Sequence, residues 1–124
     1  MKSIEEVFDS VRQVAAQEAM RKLPARGGKR FADVFHHGSL QIEIYAPRGR
    51  DTQRPHTRDE VYAVIRGNGL YVNGNQRYAF VPGDLLFAAA GERHHFEGFS
   101  EDFFAWVLFY GPEGGEEGTP ESRV

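Results

Sequence analysis

The sequence predicts an all-β protein, a sandwich or barrel of short strands behind one N-terminal helix. Three observations predict it. Apolar residues at helical spacing give way to a proline- and glycine-rich break after residue 22, a period-two pattern then runs from Phe31 to Tyr110, and Gly- or Asn-marked turns interrupt that pattern every few residues. With 124 residues there is room for one core, and nothing in the length calls for a second domain.

The elements follow in order. Ile4, Val7, Phe8, Val11, Val14 and Ala15 fall on one helical face, which predicts an amphipathic helix over residues 3 to about 22, with Ser3 and Glu6 in capping-box spacing. Pro24, Gly27 and Gly28 end it. Strands are predicted at 31–36 and 40–46 around His37-Gly38-Ser39, then at 60–66 and 69–72 around Gly67-Asn68. Asn73-Gly74 marks a tight hairpin, and further strands are predicted at 76–81, 84–88, 93–98 and 103–110. The last of these, DFFAWVLFY, is apolar on both faces and is expected to be covered on both. The stretch GPEGGEEGTPESRV has almost nothing to bury. The predicted organisation is therefore a helix and linker over 1–28, a barrel over 29–111 and a disordered acidic tail over 112–124.

Composition narrows the function. A net charge of -3 with no lysine-arginine block gives no footprint for nucleic acid or an anionic membrane. Cysteine is absent, which excludes disulfides and thiolate metal sites. Glu5, Glu6, Asp9 and Glu18 within the first helix argue against a secretory or membrane segment, so a cytoplasmic protein is expected. Ten Phe residues suit a sheet-built core, and Tyr62, Phe80, Phe87, Phe96, Phe104 and Trp106 are the candidates for the barrel wall.

Chemistry concentrates in PHTRDEVYAVIRGNG and PGDLLFAAAGERHHF. Strand alternation would put Arg54 and His56 on one face, and Glu60, Tyr62 and Val64 on one face of the next strand. If these faces point inward, His56 and Glu60 meet in one cavity and His94 joins them after the turn at Gly91-Glu92-Arg93. Two imidazoles and one carboxylate can bind Fe, Mn, Ni, Cu or Zn and leave coordination positions open. His95, next to His94, would face the other side, and His36 and His37 read as polar residues at a hairpin end. Arg48, Arg50, Arg58 and Arg93 surround the two segments and could steer an anionic ligand.

These segments resemble the two motifs of the cupin superfamily. Gly49, His56, Glu60 and Gly67 are similar to the first motif, and Gly83-Asp84 through Gly91-Glu92-Arg93-His94 to the second, with fifteen residues between Gly67 and Gly83. The resemblance implies a double-stranded β-helix, or jelly-roll, barrel with a metal inside. It also implies pairing as a homodimer, which would cover the apolar last strand and the helix.

Several positions depart from the family pattern. Arg54 stands where the first histidine ligand belongs, with only four residues between it and Gly49, while Ala89 and Gly98 replace the Pro and Asn of the second motif. A guanidinium cannot ligate a cation. Three arrangements follow: Arg54 turns away and leaves three protein ligands, with water completing the set; Gln53 or His95 supplies a neutral fourth ligand; or no metal binds and Arg54 pairs with Glu60.

The expected function is metal-dependent chemistry on a small organic molecule, as a dioxygenase, isomerase or decarboxylase. His56, Glu60 and His94 would hold the metal, Arg54 would orient an anionic substrate, and Tyr62 would donate or relay a proton. The alternative is a non-catalytic small-ligand or sensor barrel. A metal-free epimerase-like role is disfavoured, because His56 and Asp59 have the wrong spacing for one face.

Overall fold

The computed structural model describes residues 11–118. Eight antiparallel strands form two sheets: β1 (Phe31–His37), β2 (Leu40–Tyr45), β3 (Asp59–Arg66), β4 (Gly69–Asn73), β5 (Gln76–Phe80), β6 (Leu85–Ala88), β7 (His94–Glu97) and β8 (Phe104–Tyr110). One sheet has the order β1-β2-β8-β3-β6 and the other β5-β4-β7. The predicted strands are all present, with ends shifted by at most one residue. The hairpin between β4 and β5 turns through Gly74 and Asn75, and Gly74 takes the positive φ of 58°.

The jelly-roll interior lies between the sheets. Tyr62, Val64, Ala105, Val107 and Phe109 of the larger sheet pack with Tyr71, Phe80 and Phe96 of the smaller one and with Phe103. Of the six aromatics expected in the barrel wall, Tyr62, Phe80 and Phe96 belong to this core. Phe104 and Trp106 instead face outward, because alternation along β8 gives the inner positions to Ala105, Val107 and Phe109. Phe87 is half-buried and belongs to neither cluster.

A second apolar layer covers the back of the five-stranded sheet. Val14, Ala19, Met20 and Leu23 pack there on Val34, Ile42, Ile44, Ile65, Phe104 and Trp106. The outer face of β8 is thus half-buried by the N-terminal segment of the same chain. The helix in that segment, α1 (Ala16–Met20), is much shorter than predicted, since residues 11–15 are not helical and Ala15 is extended at φ -71° and ψ 137°. A segment this short owes its shape to packing more than to propensity; of the predicted apolar face, Val14 packs in this layer and Ala15 is exposed. Residues 3–10, including the Ser3 and Glu6 pair, lie outside the described residues.

The C-terminal segment also departs from expectation. Residues 111–118 fold back on the barrel, where the Gly114 amide donates to Thr57 O at 2.7 Å and the Glu116 amide to Asp59 Oδ2 at 2.7 Å. Backbone hydrogen bonds to a loop carbonyl and to a buried carboxylate supply what apolar burial does not. Residues 119–124 lie outside the described residues.

Gly67 is held by close approach. Its φ is +94°, and a Cβ there would lie 2.6 Å from Phe103 Cα, so only glycine lets the β3–β4 turn pass over the segment leading into β8.

Candidate metal centre

Three rows of inward side chains cross the five-stranded sheet. Gln41, Phe109, Glu60 and Ala88 form one row, Glu43, Val107, Tyr62 and Leu86 the next, and Tyr45, Ala105 and Val64 the third. Glu60 and Tyr62 therefore face the same space, as strand alternation predicted. His94 reaches it from the start of β7, and His56 from the loop before β3.

The structure brings His56, Glu60 and His94 together, with one ligand atom from each lying within 4.8 Å of the others. His94 Nε2 is 2.5 Å from Glu60 Oε1, and His56 Nε2 is 3.9 Å from Glu60 Oε2. The shorter contact is an ion-pair approach without hydrogen-bond geometry, and both Glu60 oxygens are buried with no hydrogen-bond donor. An unpaired carboxylate in such a place is strongly unfavourable unless a cation offsets it. The side chains present therefore fit a divalent ion.

The imidazoles are oriented for that use. His94 Nδ1 lies 2.9 Å from Glu92 O, and because a carbonyl can only accept, Nδ1 carries a proton and Nε2, which faces Glu60, is left to bind a cation when the ring is neutral or to carry the second proton when it is charged. Burial by itself would lower the His94 pKa, but the adjoining Glu60 carboxylate outweighs it and the net direction is upward from 6.5. His56 packs edge-on against Phe109 at 5.0 Å between ring centroids, and its amide oxygen accepts from Gly91 N at 2.8 Å. Its side chain stays 41% exposed, so solvent and ligands reach the centre on that side.

Tyr62 stands beside this group, its hydroxyl 3.1 Å from His94 Nε2. Burial, aided by Glu60, holds its pKa well above 10, which keeps the phenol neutral.

Arg54 is not part of the cluster. Residues 51–58 are loop and not strand, since Pro55 has no amide hydrogen to give a ladder, so the alternation expected to align Arg54 with His56 does not apply. The side chain is exposed, and no ion pair joins it to Glu60 among the described residues. His95 also stays out of the centre, on the opposite face of β7, where its Nε2 meets Glu97 Oε1 at 2.9 Å. Gln53 lies beside the centre and meets it through Tyr62, whose hydroxyl donates to Gln53 Oε1 at 2.8 Å.

Sequence reading missed three carboxyl groups around the site. Asp51 accepts from the Tyr45 hydroxyl and, at 2.8 Å each, from Phe96 N and Gln53 Nε2. Asp59 accepts from Ala90 N at 2.9 Å and anchors the C-terminal segment. Glu43 faces the cavity, and its pKa rises to about 7, chiefly through burial, then through Asp33 opposite it on β1 and through Glu60. A signal for Glu43 existed in the alternation of LQIEIY, but Ile42 and Ile44 face the outer apolar layer, which reverses the usual sense of inside and outside.

The cavity in front of these groups has a volume of about 600 Å³. Arg30, Arg48, Arg50 and Arg58 line it toward solvent, so three of the four arginines expected at a rim are there and the exposed Arg93 is not.

Residues 41–110 match the Cupin domain family. The chain belongs to the cupin superfamily. This cupin is similar to uncharacterized protein SCO3923 of Streptomyces coelicolor, with 36% identity over 85 residues that make up 67% of this chain and 81% of the relative. TT1209 from Thermus thermophilus has a similar structure, with a TM-score of 0.62 and 19% identity over 81% of this chain and 97% of that one. A cupin superfamily protein from Desulfitobacterium hafniense gives a TM-score of 0.52 and 19% identity over 64% of this cupin and 74% of its own chain. At these identities the solved structures establish the fold of this cupin alone. Among the described residues, no helix is long and apolar enough to cross a membrane.

Proposed function

We propose that this cupin binds one divalent metal ion through His56, Glu60 and His94 and acts on a small organic molecule in the cavity before it. The observation that carries this reading is the buried Glu60 carboxylate, with neither oxygen hydrogen-bonded and two imidazole nitrogens turned toward it. A bound ion would supply Lewis acidity and open positions for an oxygen-bearing ligand, which suits dioxygenase, isomerase or decarboxylase chemistry. The chain's own residues do the rest: Phe109 backs the His56 ring, Glu92 O fixes the His94 tautomer, and Arg48, Arg50 and Arg58 attract an anionic ligand to the mouth.

A second reading, a metal-free ligand-binding module, draws on the 2.5 Å approach of His94 to Glu60, in which a protonated imidazole would be the counter-charge. Elemental analysis separates the two. One equivalent of metal in the purified protein, absent from a His56→Ala, His94→Ala double variant, supports the metal centre. No metal in the native protein, even after incubation with Fe, Mn, Ni, Cu or Zn salts, favours the second reading.

A further inference from the structure

Tyr62 is tied into a chain of hydrogen bonds whose direction is set from its far end. A carboxylate can only accept, so Asp51, 2.8 Å from Gln53 Nε2, obliges the Gln53 amide to turn its NH2 group toward it. Flipping that amide would bring carbonyl and carboxylate oxygens together. Asp51 is itself held by the Phe96 amide at 2.8 Å and by the Tyr45 hydroxyl. With its NH2 committed, Gln53 presents its carbonyl oxygen to Tyr62, and the phenol proton is spent on that oxygen at 2.8 Å. What remains on Tyr62 is its lone pairs, and the oxygen that carries them lies 3.1 Å from His94 Nε2.

We infer that Asp51, Gln53 and Tyr62 form a polarity relay, through which Tyr62 offers a lone pair and not a proton to whatever binds beside His94. The relay makes Tyr62 a specificity determinant. The cavity selects small ligands that bring an O–H or N–H donor to that position, such as hydroxy acids, over analogues in which the donor is capped. Proton donation by Tyr62, the role expected from its sequence position, is excluded while Gln53 holds the hydroxyl. This inference rests on the proposed metal centre for the place of the ligand, but the direction of the relay is a property of the protein alone.

Two measurements test it. In the first, the zinc-loaded protein is titrated with glycolate and with methoxyacetate, which differ by replacement of the hydroxyl proton with a methyl group. One neutral hydrogen bond corresponds to a preference for glycolate of about five- to tenfold, and Tyr62→Phe and Gln53→Leu should each bring the ratio to within about twofold of unity. An unchanged ratio in both variants, or no zinc-dependent binding of glycolate, overturns the inference. The second measurement uses the unaltered, metal-free protein and does not depend on either variant folding. The Tyr62 hydroxyl proton, identified by its nuclear Overhauser contacts to the Tyr62 ring protons, should also show contacts to the Gln53 side chain. Contacts to the His94 ring in their place would show the relay running the other way and overturn the inference. If zinc fails to bind the unaltered protein, the metal centre falls, while the hydroxyl-proton measurement still decides the relay.

Discussion

His94 Nε2 lies 2.5 Å from Glu60 Oε1, and both side chains are 1% exposed, so a carboxylate and an imidazole meet where water cannot separate them. The charge of Glu60 has to be balanced there by a proton on His94 or by a bound cation.

Glu60→Gln should therefore have effects of opposite sign on stability and on metal binding. Without metal, and at alkaline pH where His94 has lost the proton that balances Glu60, removal of the buried charge should raise stability by about 1–3 kcal/mol. Metal affinity should fall by about a hundredfold or more through loss of a charged ligand, in line with the cost of disturbing metal-site partners. Thermal unfolding and zinc titration of the same variant check both signs.

Glu43 makes stability depend on pH. Its folded pKa of about 7 lies above the ordinary 4.5, so between these values the native state holds a proton that the unfolded chain has released, and stability falls as pH rises through that window. Glu43→Gln should flatten this part of the curve, by about 1 kcal/mol once solvent screening of a partly exposed group is allowed for. Urea unfolding of both proteins at several pH values across the window from 4.5 to about 7 measures it. Parallel curves would count against a raised Glu43.

Gly67→Ala should be severely destabilising. The new Cβ would fall 2.6 Å from the Phe103 backbone at a φ of +94°, and neither can yield without moving the segment into β8. A cost of about 3 kcal/mol or more is expected from strain and overpacking together. Gly74→Ala has a positive φ of +58° but open space around it, so its smaller loss, measured beside the first, isolates the contact.

The C-terminal segment should help to hold the loop that bears His56. A Cβ on Gly115 would come within 2.9 Å of Asp59 Oδ1 and 3.0 Å of Ala90 Cβ, which displaces the segment without altering the barrel. Gly115→Ala should speed proteolysis of the tail and weaken zinc binding by roughly tenfold, as loss of an outer partner of a metal site does. Gly118→Ala, with the same sign of φ and nothing within 4 Å, should leave zinc binding unchanged.

The strands, and four of the residues that meet in the cavity, could be read from the order of amino acids. Strand positions were legible because period-two alternation and glycine turns are local properties, and Glu60 and Tyr62 followed from phase along a single strand. The positions of His56 and His94 relative to each other came from motif spacing in the cupin pattern. Other features depend on contacts between segments far apart in the chain. Arg54 left the cavity because the segment around Pro55 is loop, and β2 turned Glu43 inward because the N-terminal segment covers Ile42 and Ile44 from outside. Residues 111–118 were fixed by hydrogen bonds to Thr57 and Asp59, more than fifty residues earlier. The same holds for Asp51, whose partners Tyr45, Gln53 and Phe96 come from a strand, a loop and the opposite sheet. Alternation reports which residues share a face, but only the packing of one sheet against its neighbours settles which face is the inside.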